Sequence, residues 1–295
     1  MTLTTIAREE SSSYTDHDQL FKQLIHSFFA EFLELFFPEV HEEVDFRITK
    51  PLSEEMFTDL IEGERRRLDI VIETKLKGQN TFIIVHVEPQ SYGQTHFHER
   101  MYHYFSLLYH KYRKPIVPIA VFTYDENRQE QDHFTMSFPF FHVLTFQFLK
   151  LELRKKNWRD YLDSENPVAA ALLSKMGYTK AERVQVKKEF LRMLVKLELD
   201  PAKSALINGF FEKYLSLNQS EEEALMEEIH QLSKDEEEQI LKLPNSWIEK
   251  GKREGEKEGK KNVALEMLKR GLDSELIAEV TKLDQEEIEN LRKTL

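Results

Sequence analysis

Three polar side chains at the ends of two apolar runs are the residues best suited to chemistry in this sequence. Asp69 lies in Arg67-Leu68-Asp69-Ile70-Val71, and Glu88 and Gln90 lie in His86-Val87-Glu88-Pro89-Gln90-Ser91. Leu68–Thr74 and Thr81–Val87 are rich in Val and Ile and read as strands. Between them stands Lys77-Gly78-Gln79-Asn80, and a Gly-X pair suits a two-residue type II′ turn. A turn centred on Gly78-Gln79 places Asp69 opposite Glu88, Val71 opposite His86 and Glu73 opposite Ile84. Opposed carboxylates lie about 4.5–5.5 Å apart at Cβ and repel each other. Two arrangements relieve this: Asp69 and Glu88 share a divalent cation such as Mg²⁺, or one carboxylate stands exposed at a strand end. Gln90 can orient a water by hydrogen bonding but brings no positive charge. Pro89 has no N–H, so the ladder should end or bulge there.

Side chains alternate along a strand, so Asp69, Val71, Glu73, Ile84, His86 and Glu88 should share one face. Leu68, Ile70, Ile72, Ile83, Val85 and Val87 form a wholly apolar second face, which a helix is expected to cover.

Other candidates carry less. His96, His103 and His110 recur every seven residues and fall on one helical stripe, but they span about 21 Å, too far for one ion. A solvated helix edge is the expectation. Ser11–Ser13 lie in a polar N-terminal stretch unsuited to a preorganised nucleophile. No glycine-rich phosphate loop is present. Arg65, Arg66 and Arg67 precede the Asp69 strand, either as a solvated entry paired with Glu62 and Glu64 or as phosphate contacts beside the carboxylates.

The elements that must position these residues alternate in the first half. Residues 16–37 read as an amphipathic helix ended by Pro38, Val44–Thr49 as a strand, and Gln94–Arg113 as a helix stopped before Pro115. Ile116–Thr123 reads as a buried strand and Phe140–Phe148 as another. This order is α/β. The second half is helical: Pro167–Met176, Lys180–Leu197, Pro201–Leu215 and Ser220–Gln231, with a capping box expected at Ser220-Glu221-Glu222-Glu223. Lys250 to Lys261 is a charged stretch with glycines every four residues, at Gly251, Gly255 and Gly259. Three short helices should follow, with Gly271 ending one, Asp273 or Ser274 starting the next, and Asp284 with Glu287 capping the last.

The chain has 295 residues, 41 Lys+Arg, 53 Asp+Glu and no cysteine, for a net charge of −12. Disulfides, cysteine nucleophiles and Cys-ligated zinc are thereby excluded. No apolar run approaches the roughly 18 residues of a membrane span, and no apolar signal core opens the chain, so a cytoplasmic protein without membrane partners is expected. The first 150 residues hold 18 of the 21 Phe and 10 of the 11 His. The aromatic core and any histidine chemistry therefore belong to that half. The net negative charge argues for weak, salt-sensitive, metal-assisted contact with any phosphate backbone.

An Asp on one strand and Glu-x-Gln on the next, within helix, three strands, helix and strand, resembles the PD-(D/E)XK nuclease superfamily. The closer likeness is to the Rpn-type recombination-promoting nuclease and putative transposase branch, in which Gln commonly replaces the usual Lys. Asp18-Gln19-Leu20-Phe21-Lys22 resembles that branch's N-terminal motif, and Arg100, Tyr104, Pro118 and the glycine-spaced tail are also similar to it. The resemblance implies a restriction-endonuclease-like core (helix, three-strand antiparallel meander, helix, further strand) followed by an all-helical C-terminal region. It implies a DNA endonuclease that hydrolyses phosphodiesters with a water activated by Mg²⁺, or by Mn²⁺ in its place. Asp69, Glu88 and Asp18 would bind metal, Gln90 would orient the water, and Lys22 would supply the positive charge that the missing lysine normally brings. Arg65, Arg66, Arg67, Arg100 and Tyr104 would contact DNA. The alternative is a catalytically inactive nuclease fold that binds nucleic acid or protein through its C-terminal helices, which also offer a surface for homo-oligomers. The expected division is a nuclease-like domain at 1–155, a helical extension at 156–245, and a charged linker with a small helix-turn-helix-like tail at 246–295.

Overall fold

The computed structural model describes residues 19–52, 70–88, 96–124, 130–243 and 259–292. The chain divides into two compact units, Met1–Glu236 and Glu237–Leu295.

The first unit is built on a mixed five-stranded sheet. Its strands are β1 (Lys50–Pro51), β2 (Ile70–Leu76), β3 (Gln79–Glu88), β4 (Ile116–Phe122) and β7 (Leu149–Glu152), which lie in that order across the sheet. β1, β2 and β3 form an antiparallel meander, whereas β4 runs parallel to β3 and β7 parallel to β4. A separate hairpin, β5 (His133–Phe138) with β6 (Phe141–Gln147), precedes β7. The run expected as a strand at Phe140–Phe148 is β6, which pairs with β5 in this hairpin and not in the main sheet.

The β2–β3 turn departs from the expected one. Leu76 pairs with Gln79, so the two turn residues are Lys77 and Gly78, not Gly78 and Gln79. Both have positive φ, 46° and 82°, as a type I′ turn requires. A tertiary contact holds Lys77 in this unusual conformation: its N–H donates to the Glu43 carbonyl at 3.2 Å, and its ammonium meets the Glu43 carboxylate at 2.8 Å. The register shifts by two residues, and Val71 pairs with Ile84 rather than His86. A shift of two preserves which residues share a face.

The strand expected at Val44–Thr49 is also absent. Val44 makes only an isolated bridge with Leu76. The Asp45 carboxylate accepts from the Arg47 N–H at 3.2 Å and from the Arg47 guanidinium at 2.9 Å, closing a turn over Phe46–Ile48. Local side-chain hydrogen bonds of this kind compete with strand formation.

Helix α4 (Phe97–Tyr112) joins β3 to β4. It covers the face bearing Val71, Phe82 and Ile84, against which Tyr104 and Leu108 pack. This is the mixed face, whereas a helix was expected over the opposite one. The apolar face is buried as well, at Ile70, Ile72, Ile83, Ile119 and Val121. Packing of Phe97 on this helix against Phe122 of β4 and Phe148 ahead of β7 accompanies this choice. The helix ends at Arg113, whose φ of 52° is left-handed.

The chain opens with α1 (residues 19–27) and α2 (Phe29–Phe36), interrupted at Phe28 rather than continuous to Pro38. Pro38 instead starts the short α3 (Pro38–His41), where its missing N–H costs nothing. Phe21, Leu24, Ile25, Phe28, Phe29, Phe32 and Leu33 are all buried, a helical spacing of apolar residues.

The helices that follow the sheet are α5 (Pro167–Leu172), α6 (Arg183–Lys196), α7 (Pro201–Tyr214), α8 (Gln219–His230) and α9 (Lys234–Leu241). Asn166 caps α5 by accepting from the Val168 N–H at 2.9 Å, and its amide donates to the Glu31 carbonyl of α2 at 2.8 Å. One side chain thus starts a helix and ties it to the N-terminal helices. The capping box of α8 is formed by Asn218 with Glu221, two residues earlier than expected. Gly177 bridges Asn157, and a Cβ there would stand 2.6 Å from the Arg154 carbonyl, so only glycine fits.

Lys187 on α6 is 1% exposed. Its ammonium pairs with the Glu212 carboxylate of α7 and lies 5.0 Å from the Phe211 ring, which stacks on Phe190 at 3.8 Å. Burial pushes the Lys187 pKa down, and Glu212 opposes that shift. Glu212→Ala should strand this charge and cost about 2–3 kcal/mol, less than for a fully buried pair because Glu212 is partly exposed. Lys187→Met with Glu212→Leu should restore most of that loss, and urea unfolding of the three proteins measures both effects.

Glu182 accepts from the Thr179 N–H at 2.6 Å and pairs with Arg159 at 2.6 Å. These bonds hold its carboxyl at about 2, far below the ordinary 4.5. A depressed folded-state pKa gives stability that is fully present above 4.5 and lost as pH falls toward about 2. Wild type should therefore exceed Glu182→Gln in stability near neutrality, and the two unfolding curves should converge across that window.

Candidate active site

Glu88 is the last residue of β3, and its backbone partner on β4 is Phe122. Phe122 in turn partners Glu152, the last residue of β7. The three strands are parallel, so Glu88, Phe122 and Glu152 form a row across one end of the sheet, with neighbours about 4.8 Å apart. Open α/β sheets bind ligands at the carboxyl ends of their parallel strands.

Helix α4 begins beside this row. The Phe97 ring lies 4.8 Å from Phe122 and 5.9 Å from Phe148. The Arg100 guanidinium stands 5.2 Å from the centre of the Phe97 ring. Arg100 is therefore linked through Phe97 and Phe122 to the end of the sheet where Glu88 terminates β3. One turn further along α4, Tyr104 is 3% exposed within the cluster of Val71, Phe82, Ile84 and Leu108. A ring so buried holds the helix on the sheet and presents no surface to DNA in this conformation.

Glu73 belongs to the far end of the mixed face. It pairs with Lys114, whose ammonium also lies 4.9 Å over the Phe82 ring. The basic stretch at Lys111, Arg113 and Lys114 is spent on such local contacts: Lys111 lies over Tyr112 at 5.4 Å and Arg113 over Tyr109 at 5.7 Å.

Lys22 is half-buried on α1. Its neighbour Phe21 packs edge-on against Phe210 at 4.9 Å and against Tyr214 at 5.8 Å, so α7 fixes this part of α1. Asp18, Arg65, Arg66, Arg67, Asp69 and Gln90 lie outside the described residues. Asp69 directly precedes Ile70, the first residue of β2, which pairs with Val85. His96, His103 and His110 are exposed along α4, and His96 lies 3.7 Å from Glu99. Among the described residues, no group of three or more His, Asp or Glu is gathered to hold a metal ion.

The structure adds a polar cluster that the sequence reading missed. The Lys150 ammonium donates to the Glu130 carbonyl at 2.6 Å and lies 3.6 Å from Glu152 and 3.9 Å from Asp132. Lys155 meets Glu152 at 2.6 Å. His133 bonds Asp132 at 2.9 Å and holds that carboxyl below its usual range. The signal was Lys150-Leu151-Glu152, an alternation that puts both charges on one strand face, but it stood hidden behind the apolar run before it.

In the second unit, α10 (residues 259–269), α11 (Ser274–Thr281) and α12 (Gln285–Arg292) enclose a core of Ala264, Ile277, Leu283 and Ile288. Gly271, at φ 76°, ends α10: its N–H donates to Leu268 O at 2.9 Å and the Leu272 N–H to Met267 O at 3.1 Å, the paired bonds of a Schellman motif. Asp273 caps α11, accepting from Glu275 N–H at 3.1 Å, and Asp284 accepts from Glu287 N–H at 2.7 Å before α12.

This tail is where known proteins resemble the chain. Residues 257–293 match the C-terminal HTH domain of the Rpn/YhgA-like nuclease family. No curated protein and no solved structure matches the chain. No helix among the described residues is long and apolar enough to cross a membrane.

Phe97 is the joint between α4 and the end of β4. Phe97→Ala should cost about 3–5 kcal/mol by opening a cavity against Phe122 and Phe148, checked by urea unfolding.

Proposed function

We propose that this protein is a metal-dependent DNA endonuclease of the transposase-associated Rpn type, with a restriction-endonuclease-like core. The observation that carries the reading is the convergence of β3 ending at Glu88 with the first turn of α4 bearing Arg100, in a chain whose tail matches a nuclease-family domain. Asp69 and Glu88 are hard oxygen donors next to the ends of neighbouring strands, a donor set that suits Mg²⁺ or Mn²⁺. Asp18 is a further acidic candidate. A bound divalent ion supplies a water of lowered pKa and neutralises charge developing on the phosphate. Gln90 orients the attacking water by hydrogen bonding, and Lys22 supplies positive charge that an amide lacks. Arg65, Arg66, Arg67 and Arg100 hold the phosphate backbone.

A second reading is favoured by one specific observation. The tail holds 9 acidic against 8 basic residues over 257–293, and α12 opens with Asp284, Glu286 and Glu287. A helix that reads bases presents donors early, so this one suits a protein partner better than DNA. In this reading the fold binds without cutting.

Plasmid nicking with Mg²⁺ or Mn²⁺ decides between them. Wild type should nick, Asp69→Ala and Glu88→Ala should each lose at least about 100-fold, and Lys22→Ala should fall measurably. Absence of metal-dependent nicking by wild type would sink the enzyme reading. Unchanged cleavage by Lys22→Ala would remove that residue from the mechanism.

A further inference from the structure

The β5–β6 hairpin carries a surface that the proposed site does not use. From His133 to Leu149 the sequence has no Asp, Glu, Lys or Arg, the longest such run in a chain that is 32% charged. Its tip is open and aromatic. Phe140 is 87% exposed, Phe141 59% and Phe138 56%, and the Phe138 and Phe140 rings stack at 5.8 Å. Met136 and Val143, a few residues from the tip on the same two strands, are exposed as well. The inner side is satisfied, because Phe134, Leu144 and Phe146 pack with Phe97, Met101 and Phe122. The tip is therefore a second apolar surface, separate from the packed one.

Among the described residues, β5 and β6 pair only with each other. Natural sheets guard exposed edges with lysines or inward charges. Neither strand has any charge, and the only interruptions are Pro139 at the tip and a register shift between Met136 and Ser137. An unguarded edge next to exposed phenyl rings is built to be paired.

We infer that this hairpin is a homodimerisation surface, on which a second copy of the chain seats its own hairpin about a twofold axis. Three observations select this occupant. The absence of cations gives phosphate nothing to hold, so nucleic acid is a poor partner. A charge-free surface also lets two molecules of net charge −12 meet without opposing like charges at the contact. Finally, the area suits a twofold contact, which uses the same patch twice. Taking about 200 Å² per phenylalanine, the three exposed rings leave on the order of 400 Å² open. Two copies bury roughly 800 Å² from these rings alone, and Met136, Val143 and the paired edges carry this toward the roughly 1,200 Å² of a small specific interface. The dimer should be reversible and concentration-dependent.

Light scattering over a dilution series of the full chain tests this. Wild type should pass from dimer to monomer on dilution. Phe140→Glu should weaken association roughly 30-fold or more, with an unchanged circular dichroism spectrum and, at dilutions where both proteins are monomeric, an unchanged Tm. Amide exchange over residues 133–147 should slow in the wild-type dimer and not in the variant. A wild type that stays monomeric at its highest soluble concentration overturns the inference. So does a Phe140→Glu protein that still dimerises while Leu276→Glu with Val280→Glu, on the exposed side of α11, does not. Monomeric wild type that binds phosphatidylcholine vesicles through this tip would assign the surface to lipid and equally defeat it.

Discussion

Strand β3 has an antiparallel neighbour on one side and a parallel neighbour on the other, and most of the first unit follows from that. An antiparallel partner can be reached by a two-residue turn, here Lys77-Gly78. A parallel partner cannot, because the chain must return to the strand's starting end before it can run the same way again. The helix Phe97–Tyr112 makes that return. Its first turn consequently lies near the end of β3, where Glu88 stands, and its last turn lies near the start of β4, where Lys114 reaches Glu73. The two ends of the helix thus meet different chemistry. Aromatic packing fixes the first end, with Phe97 against Phe122 and Phe148 and Arg100 over Phe97. Buried Tyr104 and Leu108 fix the middle.

The helices after the sheet are a support for this arrangement rather than an independent appendage. Asn166 bonds the α2 backbone, and Phe21 of α1 packs against Phe210 and Tyr214 of α7. Arg154, just after β7, donates to the carbonyls of Met176 at 2.8 Å and Tyr178 at 3.0 Å. The position of Lys22, and with it any contribution to a site, is therefore set by residues nearly two hundred positions away. The buried Lys187–Glu212 pair adds directional bonding to a junction otherwise made of stacked rings.

Local signals were read well where the physics is local. Gly271 takes the left-handed conformation that ends α10, and Asp273 and Asp284 open the last two helices. Each of these depends on one side chain and its own three or four neighbours. The failures have the opposite character. Gly78-Gln79 is the better turn by propensity, but Glu43 captures Lys77 from another part of the chain and moves the turn one residue back. Phe140–Phe148 looks like one buried strand, and it is one strand, but it belongs to a separate hairpin that buries Phe146 and leaves Phe140 and Phe141 exposed. The family resemblance implied a DNA contact for Tyr104, whose burial is visible only once the helix is laid on Val71 and Ile84.

The sequence by itself determined the α/β order of the first half, the helices of the second and the pairing of two apolar strands ahead of Glu88. It also determined which residues share a face, since that depends on parity, and a register shift of two residues leaves parity intact. Tertiary structure alone decided which face the crossover helix covers, that β4 and β7 run parallel to β3, and that Glu88, Phe122 and Glu152 align at one end of the sheet. The reason is physical: periodicity records whether a side chain is buried, but not against what. Both faces of this sheet are apolar enough to be buried, and it is packing of Phe97 on Phe122 and Phe148, and of Tyr104 and Leu108 on Val71 and Ile84, that seats α4 with its first turn beside Glu88.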